Sequence, residues 1–290
     1  MDNTNPLSFE SALDKFLSYL KDQKRSSATS IAYKGDIVQL QGHLKDHKIT
    51  QTTTVRHEHL TGFIDHLNTN NFTAKSVSRK INSLKTFFKF LHNQNLLLDN
   101  PAALLTHPKY DILPPRILTP IEIKNLRDAV RLDIRISAIV EVLLQTGVKI
   151  SELANLRLDD IKKAEIHVRP IENNPSRDIP LPRPAATAIQ NYLSLRPQVK
   201  DDHIFVTKTG HPLLIRNIRT SIDRYFRKAG VKNSKVNDLR HTFIAHQLKG
   251  GVETAHLQKH VGHKRLTSTQ KYLDYITVDV TETHTRILEV

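Results

Sequence analysis

Residue types that act together on phosphate esters occur close together near the end of the sequence. Arg240 and His241 lie in VNDLRHTFIAHQL, His263 follows a glycine in VGHKRL, and Tyr272 ends the run TSTQKY. An arginine fork binds two non-bridging oxygens, a histidine exchanges a proton near neutral pH, and a tyrosine supplies an oxygen nucleophile. If successive short helices bring these side chains to one point, they suit a reaction at a phosphodiester.

The segments that carry these residues are predicted to belong to a mostly helical domain with a small sheet. Apolar spacing predicts helices over residues 120–131, 134–146, 183–195, 215–230, 238–249, 252–260 and 267–275. Thr119 is in position to cap the helix that begins at Pro120. Two short runs, at 165–169 and 177–182, predict an antiparallel hairpin with a long turn.

The first part of the chain predicts a separate helical domain. Helices are expected over residues 9–20, 27–47 and 55–68, and a fourth has a clear apolar stripe: Val77, Ile81, Leu84, Phe87, Phe88 and Leu91. Residues 99–120 contain five prolines and no sustained periodicity. We therefore predict a helical domain over residues 1–98, a linker over 99–119 and a second domain over 120–290. The fold class is mainly α with a small antiparallel sheet.

The charge of the chain favours a polyanionic partner. The sequence has 43 Lys and Arg residues against 29 Asp and Glu residues, a formal net charge of +14, and both domains share the excess. The fourth helix carries basic and hydroxyl side chains away from its apolar stripe: Lys75, Arg79, Lys80, Ser83, Lys85 and Lys89. This face is either a solvated surface or a face that contacts DNA phosphates, and we assign it to DNA binding.

Composition also limits the class of protein. The chain has no cysteine, which excludes disulfides and thiolate metal sites. Its first residues, MDNTNPLSFE, lack the basic and apolar regions of a signal peptide, and its most apolar helical stretch is too short to span a membrane. We expect a cytoplasmic protein.

Four motifs in register resemble the tyrosine recombinases, the phage-integrase and Xer-like family. They are TGVKISELANLRLDDI at residues 146–161, then DLRHTF, VGH and TSTQKY. The helical basic first domain resembles the core-binding domain of that family, and the resemblance extends over nearly the whole chain. It implies a two-domain clamp around duplex DNA, with a mixed α/β catalytic domain after the linker.

The resemblance also implies roles for individual residues. Tyr272 is the nucleophile, which attacks the scissile phosphate to give a 3′-phosphotyrosyl link and a free 5′-hydroxyl. Arg240 is the second phosphate-clamping arginine, and His263 is the hydrogen-bonding histidine of the Gly-His motif. No metal or other cofactor is implied. Strand exchange in this family takes place in a tetramer, here of identical or related chains, and residues 278–290 are expected to dock on a neighbour.

Three positions depart from the family pattern. Lys149 occupies the place of the first arginine and keeps the charge without the bidentate fork. Asn237 occupies the place of a histidine and cannot transfer a proton; taken as structure alone, it predicts a helix N-cap. The hairpin lysine that protonates the leaving 5′-oxygen has no counterpart, since Glu172 falls at that point. Arg177 flanks the hairpin loop, and we assign it to DNA binding, because a guanidinium is a poor general acid.

These departures keep other hypotheses open beside a site-specific DNA recombinase. The main alternative is a catalytically impaired DNA-binding protein on the same fold, and a DNA-relaxing enzyme of the type IB topoisomerase kind would share the tyrosine chemistry. His256, His260 and His263 have a helical spacing that suits a zinc site, although Gly262 interrupts the helix. We favour the recombinase, with no metal.

Overall fold

The protein is mostly helical and contains a two-stranded antiparallel sheet, so the predicted fold class is confirmed. The computed structural model describes residues 7–172, 174–277 and 283–290. It divides into two compact units, residues 1–112 and 113–290. Among the helices of the described ranges, none has the length and apolar character needed to cross a membrane.

The first unit consists of helices packed around an aromatic-rich core. The helices predicted for it are confirmed: α1 (Phe9–Asp22), α2 (Ser27–Asp46), α3 (His57–Thr69) and α4 (Ala74–Asn93), with a 3₁₀ turn at Thr52–Thr54. Hydroxyl side chains of Ser8, Ser26 and Thr73 accept backbone N–H groups at the starts of α1, α2 and α4. The apolar stripe predicted for α4 is fully buried.

A buried carboxylate on α2 holds α4 in place. Asp36 is 2% exposed and accepts hydrogen bonds from both terminal nitrogens of Arg79 (2.5 and 2.9 Å), from Lys80 Nζ (2.9 Å) and from Ser83 Oγ (2.5 Å). Lys80 and Ser83 are themselves buried. The structure therefore corrects their prediction as part of an outer DNA-binding face: these two side chains point into the unit and bind Asp36.

The second unit surrounds the long apolar helix α6 with shorter elements. Its helices are α5 (Pro120–Val130), α6 (Ile134–Thr146), α7 (Ile150–Ala154), α8 (Arg183–Leu193), α9 (Ile215–Lys228), α10 (Val236–Lys249), α11 (Thr254–Val261) and α12 (Thr267–Gln270), with 3₁₀ turns at Leu158–Asp160 and Leu273–Tyr275. Thr119 caps α5 as predicted. Helix α6 is buried on nearly all sides and packs against α8 and α10.

The predicted hairpin is present. Strand β1 (Glu165–Val168) pairs with β2 (Arg177–Pro180), and Ile166 lies opposite Ile179 in the register. Both isoleucines are buried in the core of the second unit. Their burial fixes the position of β2, and therefore of Arg177 at its first residue, relative to α11.

Two predicted helix boundaries near the functional residues are wrong. Helix α10 begins at Val236 after the N-cap Lys235, so Asn237 lies inside the first turn and is not the N-cap. The helix predicted over 267–275 ends at Gln270, and Tyr272 lies in the turn that follows. Helix α7, which follows Lys149, was not predicted from the sequence.

The C-terminal residues 283–290 pack against the second unit of their own chain. Gln247 exchanges hydrogen bonds with the backbone of Leu288, and Gln145 does so with Val290. Arg127 also donates to the carbonyl oxygen of Val290, at 2.8 Å. The first part of the segment expected to dock on a neighbour, residues 278–282, lies outside the described residues.

Removing the buried carboxylate should destabilise the first unit selectively. In Asp36→Asn, Lys80 stays buried without its partner charge, and we expect a loss of about 3 kcal/mol in the free energy of unfolding. Asp46→Asn, at the exposed end of the same helix, is the matched control. Urea denaturation followed by circular dichroism measures the free energy of unfolding of the two variants. Hydrogen exchange in α2 and α4 shows whether the loss is confined to the first unit.

The same carboxylate sets a pH dependence. Burial alone would raise the pKa of Asp36, but the hydrogen bonds from Arg79, Ser83 and Lys80 bring it below its ordinary value. A lowered pKa in the folded state stabilises the protein above the unfolded value near 4, and this contribution disappears as the pH falls through the folded value. Equal acid sensitivity in the wild type and Asp36→Asn would contradict this role.

Candidate active site

Arg240 is a buried cation on α10 that bridges to two other elements. It is 5% exposed, and its terminal nitrogens donate to the carbonyl oxygens of Gly147, after α6, and Val261, at the end of α11 (the latter at 2.7 Å). Burial lowers its pKa to about 10, with the charge of Glu152 opposing that effect. The guanidinium therefore stays charged at neutral pH, and each terminal nitrogen keeps a second N–H for an anion.

The turn that presents the Gly147 carbonyl requires glycine. Gly147 has φ of 62° and ends α6 in the left-handed conformation. A Cβ at this position would overlap the ring of Phe243 on α10, which packs directly against the turn. Glycine thus allows α10 to approach α6 closely enough for Arg240 to reach the carbonyl.

Lys149 lies at the mouth of the same pocket. Its Nζ donates to Asn174 Oδ1 in the hairpin connection at 3.0 Å and to the Gly262 carbonyl at 3.4 Å. Its side chain is 30% exposed. Burial lowers the pKa of Lys149; the charge of Glu152 opposes this, and Arg240 adds to the lowering. This lysine is therefore a better proton donor than an isolated surface lysine.

Glu152 and Arg177 form a buried ion pair behind Lys149. Both terminal nitrogens of Arg177 donate to the Glu152 carboxylate at 2.9 Å, and its Nε donates to the His260 carbonyl at 2.7 Å. Burial alone would raise the pKa of Glu152, but the bonds and charge of Arg177 lower it below its ordinary value. Arg177, assigned to DNA binding from the sequence, is placed by the structure in the support of the pocket.

Two histidines of the pocket are held by oxygen partners. His260 Nε2 lies 2.9 Å from the Thr146 carbonyl, and His263 Nδ1 lies 2.8 Å from Thr269 Oγ1. Burial lowers the pKa of each to about 4, and the charge of Arg240 adds to the effect at both. Each of these two histidines therefore uses one ring nitrogen in a hydrogen bond within the second unit.

Tyr272 contacts His241, which was noted beside Arg240 in the sequence but was given no role of its own. Its hydroxyl lies 2.5 Å from Nδ1 of His241, and Nε2 of His241 lies 2.7 Å from the side-chain amide of Asn237. Tyr272 is 2% exposed, and burial raises its pKa to about 12, although Arg240 partly offsets this. Burial also lowers the pKa of His241 to about 4, followed by the charges of Arg240 and Lys271.

The structure thus brings the five catalytic candidates into one pocket. Lys149, Arg240 and His263 influence each other electrostatically, and Tyr272 and Asn237 join them through His241. Several cations share the pocket, and the buried carboxylate of Glu152 is already paired. An arrangement of this kind attracts a phosphate group and places a tyrosine oxygen beside it.

The remaining DNA-binding candidates lie on the first unit. Lys75, Arg79 and Lys89 are exposed on α4, and Lys85 is half-buried. Arg79 binds the buried carboxylate of Asp36, and 47% of its side chain is nevertheless exposed on the outer face of α4. The outer basic face of α4 consists of these four side chains.

Both units match known sequence families. Residues 116–276 match the phage integrase family, and residues 13–95 match the N-terminal SAM-like domain of phage integrases. The chain is 30% identical over 273 residues to tyrosine recombinase XerC of Listeria welshimeri, covering 89% of this chain and 91% of the relative. It is 31% identical over 269 residues to tyrosine recombinase XerC of Staphylococcus epidermidis, covering 89% of this chain and 90% of the relative.

Solved structures show the same similarity. The crystal structure of XerA recombinase is 26% identical, with a TM-score of 0.53 over 91% of this chain and 93% of that one. A lambda integrase dimer bound to a COC′ core site shares the fold at 15% identity, with a TM-score of 0.77 over 98% of this chain and 82% of that one. The Tn1549 transposon integrase in complex with transposon right end DNA is 18% identical, with a TM-score of 0.78 over 94% of this chain and 96% of that one.

His260, which is buried, and His241 and His263, which are half-buried, should remain neutral well below neutral pH. Because burial lowers the pKa of His241, His260 and His263 to about 4, their imidazole signals in NMR spectra should titrate near pH 4. The unfolded chain takes up these protons near pH 6.5, so the second unit should lose stability as the pH falls from about 6.5 to about 4. Titration of these signals near pH 6.5 would contradict the described burial.

Proposed function

The chain belongs to the phage integrase family, and from this membership we propose that it is a site-specific DNA recombinase that cuts and rejoins duplex DNA through Tyr272. The observation that carries the proposal is the convergence of Tyr272, Arg240 and His263 on one cationic pocket. Because its substrate is DNA in the cell interior, we place the protein in the cytoplasm.

In the proposed reaction, the Tyr272 oxygen attacks the scissile phosphorus. A bond forms between this oxygen and phosphorus, the bond from phosphorus to the 5′-oxygen breaks, and a 3′-phosphotyrosyl link remains. Arg240 binds the non-bridging oxygens with its free N–H groups, and His263 contributes a further hydrogen bond. Attack by a new 5′-hydroxyl reverses the step, so the bond energy is conserved and no metal or nucleotide cofactor enters.

We assign the proton for the leaving 5′-oxygen to Lys149. The hairpin carries no lysine, but Lys149 Nζ lies 3.0 Å from Asn174 in the hairpin connection. The ammonium group therefore reaches the region of the pocket formed by the hairpin, and its pKa is lowered by burial. One side chain then supplies the positive charge beside the phosphate and the proton for the leaving group.

The first unit contributes a second DNA-contacting surface. The exposed side chains Lys75, Arg79 and Lys89, with half-buried Lys85, face outward on α4 and replace counterions along the DNA backbone. Lys80 and Ser83 support this surface from inside, because they fix α4 through Asp36.

We propose that the active assembly is a tetramer on DNA, either of this chain or of this chain with a related recombinase. A solved lambda integrase tetramer is bound to a Holliday junction, and it shares the fold of this chain. In such an assembly residues 283–290, which here bind Gln145 and Gln247 of their own chain, are the segment available for exchange between neighbours.

Replacement of the nucleophile should abolish the covalent intermediate. The wild type, incubated with nicked suicide duplexes that carry its selected binding site, should form a covalent protein–DNA band, and Tyr272→Phe should form none. Tyr275→Phe, an exposed tyrosine in the next turn, is the matched control and should behave like the wild type. Specific binding by the wild type without any covalent band would instead favour the impaired DNA-binding protein.

The role of Lys149 predicts a dependence on the leaving group. Lys149→Arg keeps the charge but loses a usable proton, so cleavage of ordinary DNA should slow by about 10²-fold. A duplex with sulfur in place of the bridging 5′-oxygen has a leaving group that needs no proton, and its cleavage should stay near the wild-type rate. Single-turnover gels measure both rates. Faster cleavage of both substrates by Lys149→Arg would show that the missing arginine fork limits the enzyme.

A further inference from the structure

We propose that His241 is the general base that takes the hydroxyl proton of Tyr272, and that Asn237 positions its ring. The inference rests on the proposed function and deepens it by assigning a base to the nucleophile. It gives a role to His241, which lies in the motif DLRHTF but was given no role of its own from the sequence. It also explains the contact of Asn237, which occupies a position where a proton-transferring histidine was expected.

The geometry places the imidazole directly on the reacting atom. Nδ1 of His241 lies 2.5 Å from the hydroxyl oxygen of Tyr272, within the range for proton transfer. The two rings are 5.8 Å apart between centroids and tilted by 42°, so they meet through these polar atoms rather than by stacking. The tyrosine is thus held with its hydroxyl against a nitrogen atom before any substrate is present.

The other imidazoles of the pocket are engaged elsewhere. His260 Nε2 faces the Thr146 carbonyl, and its ring is stacked on Phe243. His263 Nδ1 faces Thr269 Oγ1. In the described part of the chain, His241 is therefore the histidine whose ring is hydrogen-bonded to Tyr272.

The orientation of the Asn237 amide decides which tautomer His241 adopts. The amide nitrogen Nδ2 of Asn237 lies 2.7 Å from Nε2 of His241, and the nitrogen and oxygen ends of this amide exchange by a half-turn about the last side-chain bond. With the oxygen toward the ring, Nε2–H donates to Asn237 and Nδ1 presents a lone pair to Tyr272. Tyr272, His241 and Asn237 then form a hydrogen-bonded chain. In this chain Asn237 orients the imidazole ring, and Nδ1 of His241 accepts the hydrogen bond from the Tyr272 hydroxyl.

The surroundings keep the base neutral until DNA binds. The charged and titratable groups that face His241 are Arg240 on its own helix, Lys271 and Tyr272 in the turn after α12, and His263 after α11. Burial, and after it the charges of Arg240 and Lys271, opposes protonation of the ring in the free protein. A bound phosphodiester carries a negative charge beside Arg240, which offsets this opposition and strengthens the base when the nucleophile is needed.

The proton balance of the step is complete. The O–H bond of Tyr272 breaks, its proton moves to Nδ1 of His241, and the oxygen forms its bond to phosphorus. The 5′-oxygen leaves with a proton from the Lys149 ammonium group, as proposed above. In the reverse step the neutral Lys149 amine takes the proton of the attacking 5′-hydroxyl, and His241 returns its proton to the tyrosine oxygen.

Replacing the base tests the first half of the proposal. His241→Gln should slow single-turnover cleavage of the selected suicide duplex by about 10²–10³-fold, while its affinity for the same duplex stays within about twofold. His246→Gln, on the same helix and outside the pocket, is the matched control. A rate for His241→Gln within threefold of the wild type overturns the assignment. A wild type that forms no covalent band overturns the proposed function, and this inference with it.

A second variant tests the positioning role and leaves the buried residues intact. Asn237 is exposed, and in Asn237→Asp a carboxylate accepts from Nε2–H and stabilises the protonated ring. The acidic limb of the pH–rate profile should therefore move to higher pH, with a rate above that limb at least equal to that of the wild type. An unmoved limb, or a rate reduced at every pH, contradicts the proposal.

Discussion

The active site depends on one buried charge, the guanidinium of Arg240. Its bonds to the carbonyl oxygens of Gly147 and Val261 join α10 to the turn after α6 and to the end of α11. A cation buried to this degree is costly unless carbonyl dipoles or anions surround it. The close approach of these three elements supplies the dipoles, and it requires the left-handed glycine at position 147.

The remaining groups of the pocket follow from that charge. Glu152 is buried nearby and is satisfied by Arg177, so the pocket keeps a positive field at its mouth, where Lys149 is partly exposed. Burial, and after it the charge of Arg240, lowers the pKa of His241 and of His263 and keeps both rings neutral. A neutral imidazole can accept the proton of Tyr272, and an ammonium group with a lowered pKa can release one. The pocket thus holds a candidate base and a candidate acid as two separate groups.

Local patterns in the sequence were sufficient for the fold class, the helices of the first unit and the motifs of the pocket. The apolar stripe of α4 predicted its buried face directly. Pairings between distant residues were not predictable: the carboxylate that binds Lys80 lies 44 positions away, and the one that binds Arg177 lies 25 positions away. Both basic residues were therefore assigned to DNA binding.

The role of Asn237 depends on the residue at which helix α10 begins. A helix start two residues later would make Asn237 the N-cap, but Lys235 is the cap, and the amide of Asn237 instead contacts His241 one turn further along α10. The role of His241 depends on a contact across 31 positions, which no local spacing encodes.

The central claim is that a single oxygen of this pocket becomes bonded to DNA. The most direct measurement is mass spectrometry of the covalent complex after nuclease and protease digestion. We expect one modified peptide, with a nucleotide attached through its 3′-phosphate to Tyr272. Attachment to another residue, or attachment through a 5′-phosphate, would contradict it.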